Sequence, residues 1–298
     1  MRWWPLLLAA CTHTREPSPP PADVQPEPLR PPRTDLLPAV GSESTLEIAT
    51  WNIENFPALS TTPSLVADII ASLDVDIVVT EEIASEVAWS ELTARLAETH
   101  DAVLSTHEYS PGEYQKLGVL YRRDLITAGE PTLLFPDSGF SFPRPPLSLP
   151  ITVDGTTLEL VGVHLKAGVE VENAERREAA IQALDARFRA QVDGGGESEI
   201  VLLGDYNQTI TDAFGQSILA PLLTAPDRYT VRTAPMATAG GKTYLGFGGS
   251  FIDHITTTAA LDARWTDATV EVIDPRSALP GYRDRVSDHL PVVLVAPR

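Results

Sequence analysis

The sequence predicts one α/β domain with mixed β-sheets. Short runs rich in Val, Leu and Ile alternate with segments of helical period from residue 46 to the C-terminus. Several strand-like runs follow one another with no helix between them, which calls for antiparallel as well as parallel pairing. Neither an internal repeat nor a second linker interrupts the pattern, and 298 residues, 43% of them apolar, suffice for one large core.

In order, Leu46 to Trp51 reads as a strand, and Leu65, Ile69, Ile70 and Leu73 keep helical spacing. Asp76 to Thr80 is a buried strand with acids at its end, and Ala84 to Thr99 a helix. Leu117 to Tyr121, Thr132 to Phe135, Leu147 to Val153 and Leu158 to His164 are strands punctuated by Gly, Pro and Asp. Asn173 to Val192 is a long amphipathic helix, and Ile200 to Leu203, Phe251 to Thr256, Ala268 to Ile273 and Pro291 to Val295 are further strands. The folded domain is therefore expected over 45–298.

Residues 12–44 hold nine of the 26 prolines and no apolar periodicity, as in a disordered spacer. Residues 1–11 open on Met1-Arg2, continue through a short apolar run and end in Leu8-Ala9-Ala10-Cys11. This resembles a bacterial lipoprotein signal in which Cys11 becomes the acylated N-terminus, and the run is far shorter than the ~20 residues of a membrane span. It implies export and a lipid anchor in a bacterial membrane, facing the periplasm or the cell surface. Cys11 is the single cysteine, so an intrachain disulfide is excluded.

The net charge is −19, which denies the chain a general electrostatic grip on a polyanion. A phosphodiester substrate would need bound cations to supply positive charge. Polar groups collect directly after apolar strands: Asn52, Glu81 and Glu82, His164, Asp205 and Asn207, Asp253 and His254, and Asp288 and His289 ahead of the last strand. Strand ends feeding loops are where sheet enzymes gather catalytic groups. Glu82, Asp205, Asp253 and Asp288 offer hard oxygen ligands suited to magnesium. A tetrahedral zinc site lacks its thiolates and clustered histidines.

The segments Thr50-Trp51-Asn52-Ile53-Glu54-Asn55, Asp76-Ile77-Val78-Val79-Thr80-Glu81-Glu82, Gly162-Val163-His164-Leu165-Lys166, Leu203-Gly204-Asp205-Tyr206-Asn207, Phe251-Ile252-Asp253-His254-Ile255 and Ser287-Asp288-His289-Leu290-Pro291-Val292 resemble, in order, the motifs of the endonuclease/exonuclease/phosphatase family. The resemblance implies a deoxyribonuclease I-like, four-layer sandwich of two mixed β-sheets flanked by helices, acting as a monomer. It implies a magnesium site at Glu82 with Asn52 and Asp288 close by, Mn2+ or Ca2+ being alternatives. Asp253 and His289 resemble the pair that activates water, and Asp205 a second acid that holds water or a second metal. Asn207 and His164 resemble donors to the phosphate, and Arg144, Tyr114 and Lys166 are further phosphate-facing candidates. One departure stands out: Glu81 occupies a place where the family usually has Gln, and a solvated loop position is expected for it. His254, next to Asp253 on a strand, is expected to point away from the site.

The implied activity is metal-assisted hydrolysis of DNA or RNA phosphodiester bonds outside the cytoplasm. A sphingomyelinase-like or small phosphoester hydrolase on the same fold is the alternative. Such enzymes enter membranes through an exposed apolar hairpin, for which Gly246-Phe247-Gly248-Gly249 is the suggestive stretch. A non-catalytic binding module is a third reading, disfavoured because each motif keeps a chemically competent side chain.

Overall fold

The computed structural model describes residues 30–298, so Cys11, the leader and the spacer up to residue 29 lie outside the described residues. The strands are β1 (Thr45–Phe56), β2 (Ile77–Ile83), β3 (His100–Leu104), β4 (Lys116–Arg122), β5 (Ile126–Ala128), β6 (Thr132–Leu133), β7 (Leu147–Val153), β8 (Thr156–His164), β9 (Ile200–Asp205), β10 (Tyr229–Val231), β11 (Asp253–Thr258), β12 (Thr269–Val272) and β13 (Val292–Pro297). They form a first sheet of order β12-β13-β1-β2-β4-β3 and a second of order β10-β11-β9-β8-β7-β5, with β6 paired to β7. β1 pairs parallel with β2, and β8 with β9; the other pairs are antiparallel, so both sheets are mixed.

The two-residue period of each strand sorts its side chains between two layers. Ile48, Ile77 and Val79 face Leu149, Leu160, Val201 and Leu203 across the space between the sheets. Their neighbours Ala49, Trp51 and Val78 face outward, against helices α1 (Thr62–Leu73) and α2 (Glu86–Leu96). On the far side, Val161, Val163 and Leu202 pack on Ala180, Ile181, Leu184 and Phe188 of α3 (Val171–Asp193). The result is the four-layer sandwich that the motifs imply. Among the described residues, no helix is long and apolar enough to cross a membrane.

Residues 30–44, expected within the spacer, are instead packed on the domain. Arg30 makes a two-pronged ion pair with Asp68 at 2.8 and 2.6 Å, and Val40 N donates to Leu73 O. Leu36, Leu37 and Val40 cover the α1 side of the core, so the folded unit begins before residue 45. Proline content hid three apolar contacts too sparse to show a period.

At the end of β1 remote from the strand-end acids, Glu47 and Asp76 are buried together. Burial and the hydrogen-bonded Glu47 carboxyl push Asp76 up to about 7. A carboxyl raised on folding stabilises fully below its unfolded pKa near 4, and that contribution is lost as pH rises through 7. Asp76→Asn keeps an acceptor for Glu47 N and removes the ionisation. Its melting temperature is expected to rise relative to the parent between pH 5 and pH 8; a difference independent of pH would show that Asp76 does not titrate in this window.

Candidate active site

The C-terminal ends of β1, β2, β8 and β9 meet the N-terminal end of β11 and the turn before β13 at one edge of the sandwich. Asn52, Glu81, Glu82, Asp288 and His289 come from the first sheet, and His164, Asp205, Asn207 and Asp253 from the second.

Local backbone geometry aims these groups. Ile77 and Val79 point between the sheets, so Glu81 does too, and Glu82 would continue the opposite face. A register shift after Asn52 and Thr80 breaks that alternation, with Glu82 at φ 63° and Glu54 and Asn55 at 42° and 43°. Positive φ is costly for residues with a Cβ and persists where surroundings fix it. Here it turns Glu82 back into the cleft. Gly204 prepares Asp205 similarly: at φ 144°, a Cβ there would lie 1.9 Å from Val163 O. The turn carrying His289 is held by Ser287 Oγ donating to Asn52 O (2.6 Å) and Tyr282 Oη donating to His289 O (2.5 Å).

Asn52 Nδ2 donates to Glu82 Oε1 and Asp205 Oδ2, both at 3.1 Å, while its Oδ1 accepts from Glu54 N. In this geometry the amide bridges the two acids. Glu82 Oε2 accepts from Asn55 N at 2.9 Å and from Gln115 Nε2 at 3.3 Å. His289 Nδ1 donates to Asp253 at 2.9 Å, leaving Nε2 3.9 Å from Asp205 and 3.7 Å from Asp288. Burial opposes the imidazolium, but the charges of Asp253, Asp205 and Asp288 outweigh it and raise His289 well above its ordinary value. His164 Nε2 lies 3.6 Å from Glu82 and 3.7 Å from Asp205. Complete burial, helped by the Arg144 charge, holds that imidazole neutral, well below 6.5. Asn207, at φ 51°, donates its backbone N–H to Asp205 and an amide N–H to Leu165 O.

The acids crowd one another. Burial and the Asp253 charge push Asp205 up to about 7; burial and Asp288 do the same to Glu54. Asp288 is raised by burial against the nearby Glu82 charge. Hard oxygen donors that repel one another in a half-open cleft fit a divalent cation, which would relieve that repulsion. Ligand atoms of Asp205, Asp253 and His289 also lie within 4.8 Å of one another, but Asp253 and His289 are engaged with each other.

Two expectations need correction. Glu81 is not in a solvated loop: it is wholly buried between the sheets, accepting from Thr50 Oγ1 at 2.7 Å, with Oε2 unpartnered. Burial raises it well above the usual carboxylate range, with Asp253 and Asp205 adding to the shift, so the neutral acid is favoured. Tyr114 is not seated among the acids: its hydroxyl accepts from Glu86 N, and Lys116 lies 4.4 Å over its ring. Arg144 is at the site but braces it, donating to His164 O, Leu165 O and Gln115 Oε1. Lys166 is at the rim, its ammonium on Ala167 O and within the fields of Arg144, Arg176 and Arg177. His254 points away as expected, between Thr233 and Gln208 O, with burial lowering it to about 4.

The sequence reading passed over Glu54, Gln115 and Tyr244. Glu54 accepts from Asp288 N at 2.9 Å, and the Tyr244 ring lies 5.0 Å from that of His289. Glu54 sat inside a quoted motif; Gln115 and Tyr244 come from loops with no motif to mark them.

The chain matches the model described as "Endonuclease/Exonuclease/phosphatase family" over residues 49–289. No curated protein matches it by sequence. Among solved structures, D. rerio TDP2 complexed with single strand DNA product has a TM-score of 0.65 at 15% identity, covering 85% of this chain and 99% of that one. The 3'-5' exonuclease NExo from Neisseria meningitidis gives 0.62 at 20% identity, over 85% and 100%. An endonuclease/exonuclease/phosphatase from Bacteroides vulgatus gives 0.61 at 19%, over 86% and 100%. At these identities the likeness is one of fold.

Proposed function

The chain belongs to the endonuclease/exonuclease/phosphatase family, whose members are divalent-metal-dependent hydrolases of phosphoester bonds, and from that premise we propose that it is a magnesium-dependent nuclease working outside the cytoplasm. The observation that carries the chemistry is the His289–Asp253 pair, whose free Nε2 lies 3.9 Å from Asp205 and 3.7 Å from Asp288. The nucleic-acid reading is supported by the exposed cations Lys166 and Arg176 near His164 in an otherwise acidic protein, Arg177 being buried and engaged with Gln208, Lys166 O and Gly168 O. The lipoprotein-type leader ending at Cys11 supports export and a membrane anchor.

Glu82 and Asp288 would hold the cation, with Asn52 fixing Glu82 against Asp205. When bound, magnesium supplies Lewis-acid help to the phosphate and charge relief to the acids. His289, neutral at the start of the step, takes a proton from the attacking water at Nε2. Asp253 holds the resulting imidazolium at Nδ1. A P–O bond to water forms as the bond to the leaving ester oxygen breaks. Neutral His164 and the amide of Asn207 present N–H groups where charge grows on the phosphoryl oxygens.

The test is hydrolysis of plasmid DNA, single-stranded RNA, sphingomyelin and an aryl phosphodiester, each with and without magnesium. Metal-dependent cleavage of a polynucleotide is expected; hydrolysis of sphingomyelin alone would replace the nuclease reading with the lipid one.

A further inference from the structure

Phe247 is 108% exposed, the most exposed large apolar side chain among the described residues. It cannot fold back on its own loop, because its neighbours Gly246 and Gly248 offer no side chain to pack against. Yet the loop is tied down. Gly249 N donates to Gly246 O, and the ammonium of Lys242 to Gly248 O at 2.6 Å. Tyr244 pairs with Ser250 in both directions, and Leu245 N donates to Asp288 O at 2.7 Å. The ring of Tyr244, three residues before Phe247, abuts that of His289. A bare aromatic ring is thus presented on a fixed hairpin hung from the catalytic turn.

A second ring is also exposed. Phe140 is 54% exposed, and Arg176 lies 5.5 Å over it while donating to Phe140 O and Gly139 O. With a net charge of −19, affinity for a polynucleotide cannot rest on phosphate contacts alone. Stacking on an aromatic face needs no charge and accepts any base, provided that the base is out of a duplex.

We propose that Phe247 is a stacking platform for an unpaired nucleobase next to the scissile phosphate, and that this makes single-stranded or frayed nucleic acid the preferred substrate. The proposal rests on the nuclease reading above. A membrane is the poorer occupant, because a single exposed ring buries little area.

The test compares the parent, Phe247→Ala and Phe247→Tyr on three substrates: a single-stranded DNA oligomer, its blunt duplex, and an oligomer of abasic tetrahydrofuran residues with the same phosphates. For Phe247→Ala, KM on the base-bearing single strand is expected to rise about 5- to 150-fold, with kcat little changed. The abasic oligomer should show no change, and Phe247→Tyr should restore the parent's KM. Phe247→Ala kinetics that match the parent on all three substrates, or a KM raised equally with and without bases, would overturn stacking while leaving the nuclease intact. A parent that cleaves no oligomer but hydrolyses sphingomyelin would overturn the nuclease reading itself.

Discussion

His289→Ala is expected to lower turnover by about 10²–10⁴ with KM nearly unchanged and with no recovery on adding metal. The loss follows from geometry: Nε2 faces the cleft, Nδ1 is committed to Asp253, and among the described residues no other imidazole faces the same acids except His164, whose burial keeps it a poor base. The sign of the pH effect follows too. His289 is raised above its ordinary value, so the base form grows, and the parent's rate climbs, as pH rises through that raised pKa. His289→Ala should lack this limb. Asp253→Asn should cost about as much as His289→Ala, since an amide cannot hold the imidazolium by charge. The double variant should cost little more than either, because the two act as one unit. Near-normal turnover in His289→Ala, together with loss of turnover in Asp205→Asn, would identify Asp205 as the base instead.

Glu82→Gln should weaken metal binding by more than about 100-fold, the upper end of what outer ligands cost, because it removes charge from an inner one. Shape and hydrogen bonds survive the change: the amide oxygen can still accept from Asn55 N or Asn52 Nδ2. Turnover should therefore return in part at high magnesium, which separates this variant from His289→Ala. Titration calorimetry with magnesium and the metal dependence of the rate both measure it; unaltered affinity would move the metal site away from Glu82.

The long elements and the ordered motifs were legible because β1, β2, β8, β9 and β11 bury nearly every residue and announce themselves by composition. β3, β5 and β10 were not recognised. They are three to five residues long, and β3, at the sheet edge, is half exposed, so their period is too short to read. Glu81 obeys a rule visible in the sequence: Ile77 and Val79 set a parity that carries one residue further and puts it between the sheets. Its neighbour Glu82 breaks that parity, and nothing in the chain of letters announces a bulge where two non-glycine segments adopt positive φ. Gln115 and Tyr244 reach the site from loops whose course depends on tertiary contacts, which no spacing encodes.

Three contacts in the cleft join a residue of one sheet to a residue of the other: Asn52 to Asp205, Glu82 to His164, His289 to Asp253. The site is therefore a gap between two plates, and its clearances are set by how the plates seat. The shims are Ile48, Val79, Leu160 and Leu203, far from any substrate. Trimming one of them leaves a cavity that the surroundings fill only in part, and the shift it causes reaches the bridges without touching a catalytic group. Activity in this molecule is thus a gauge of alignment between sheets.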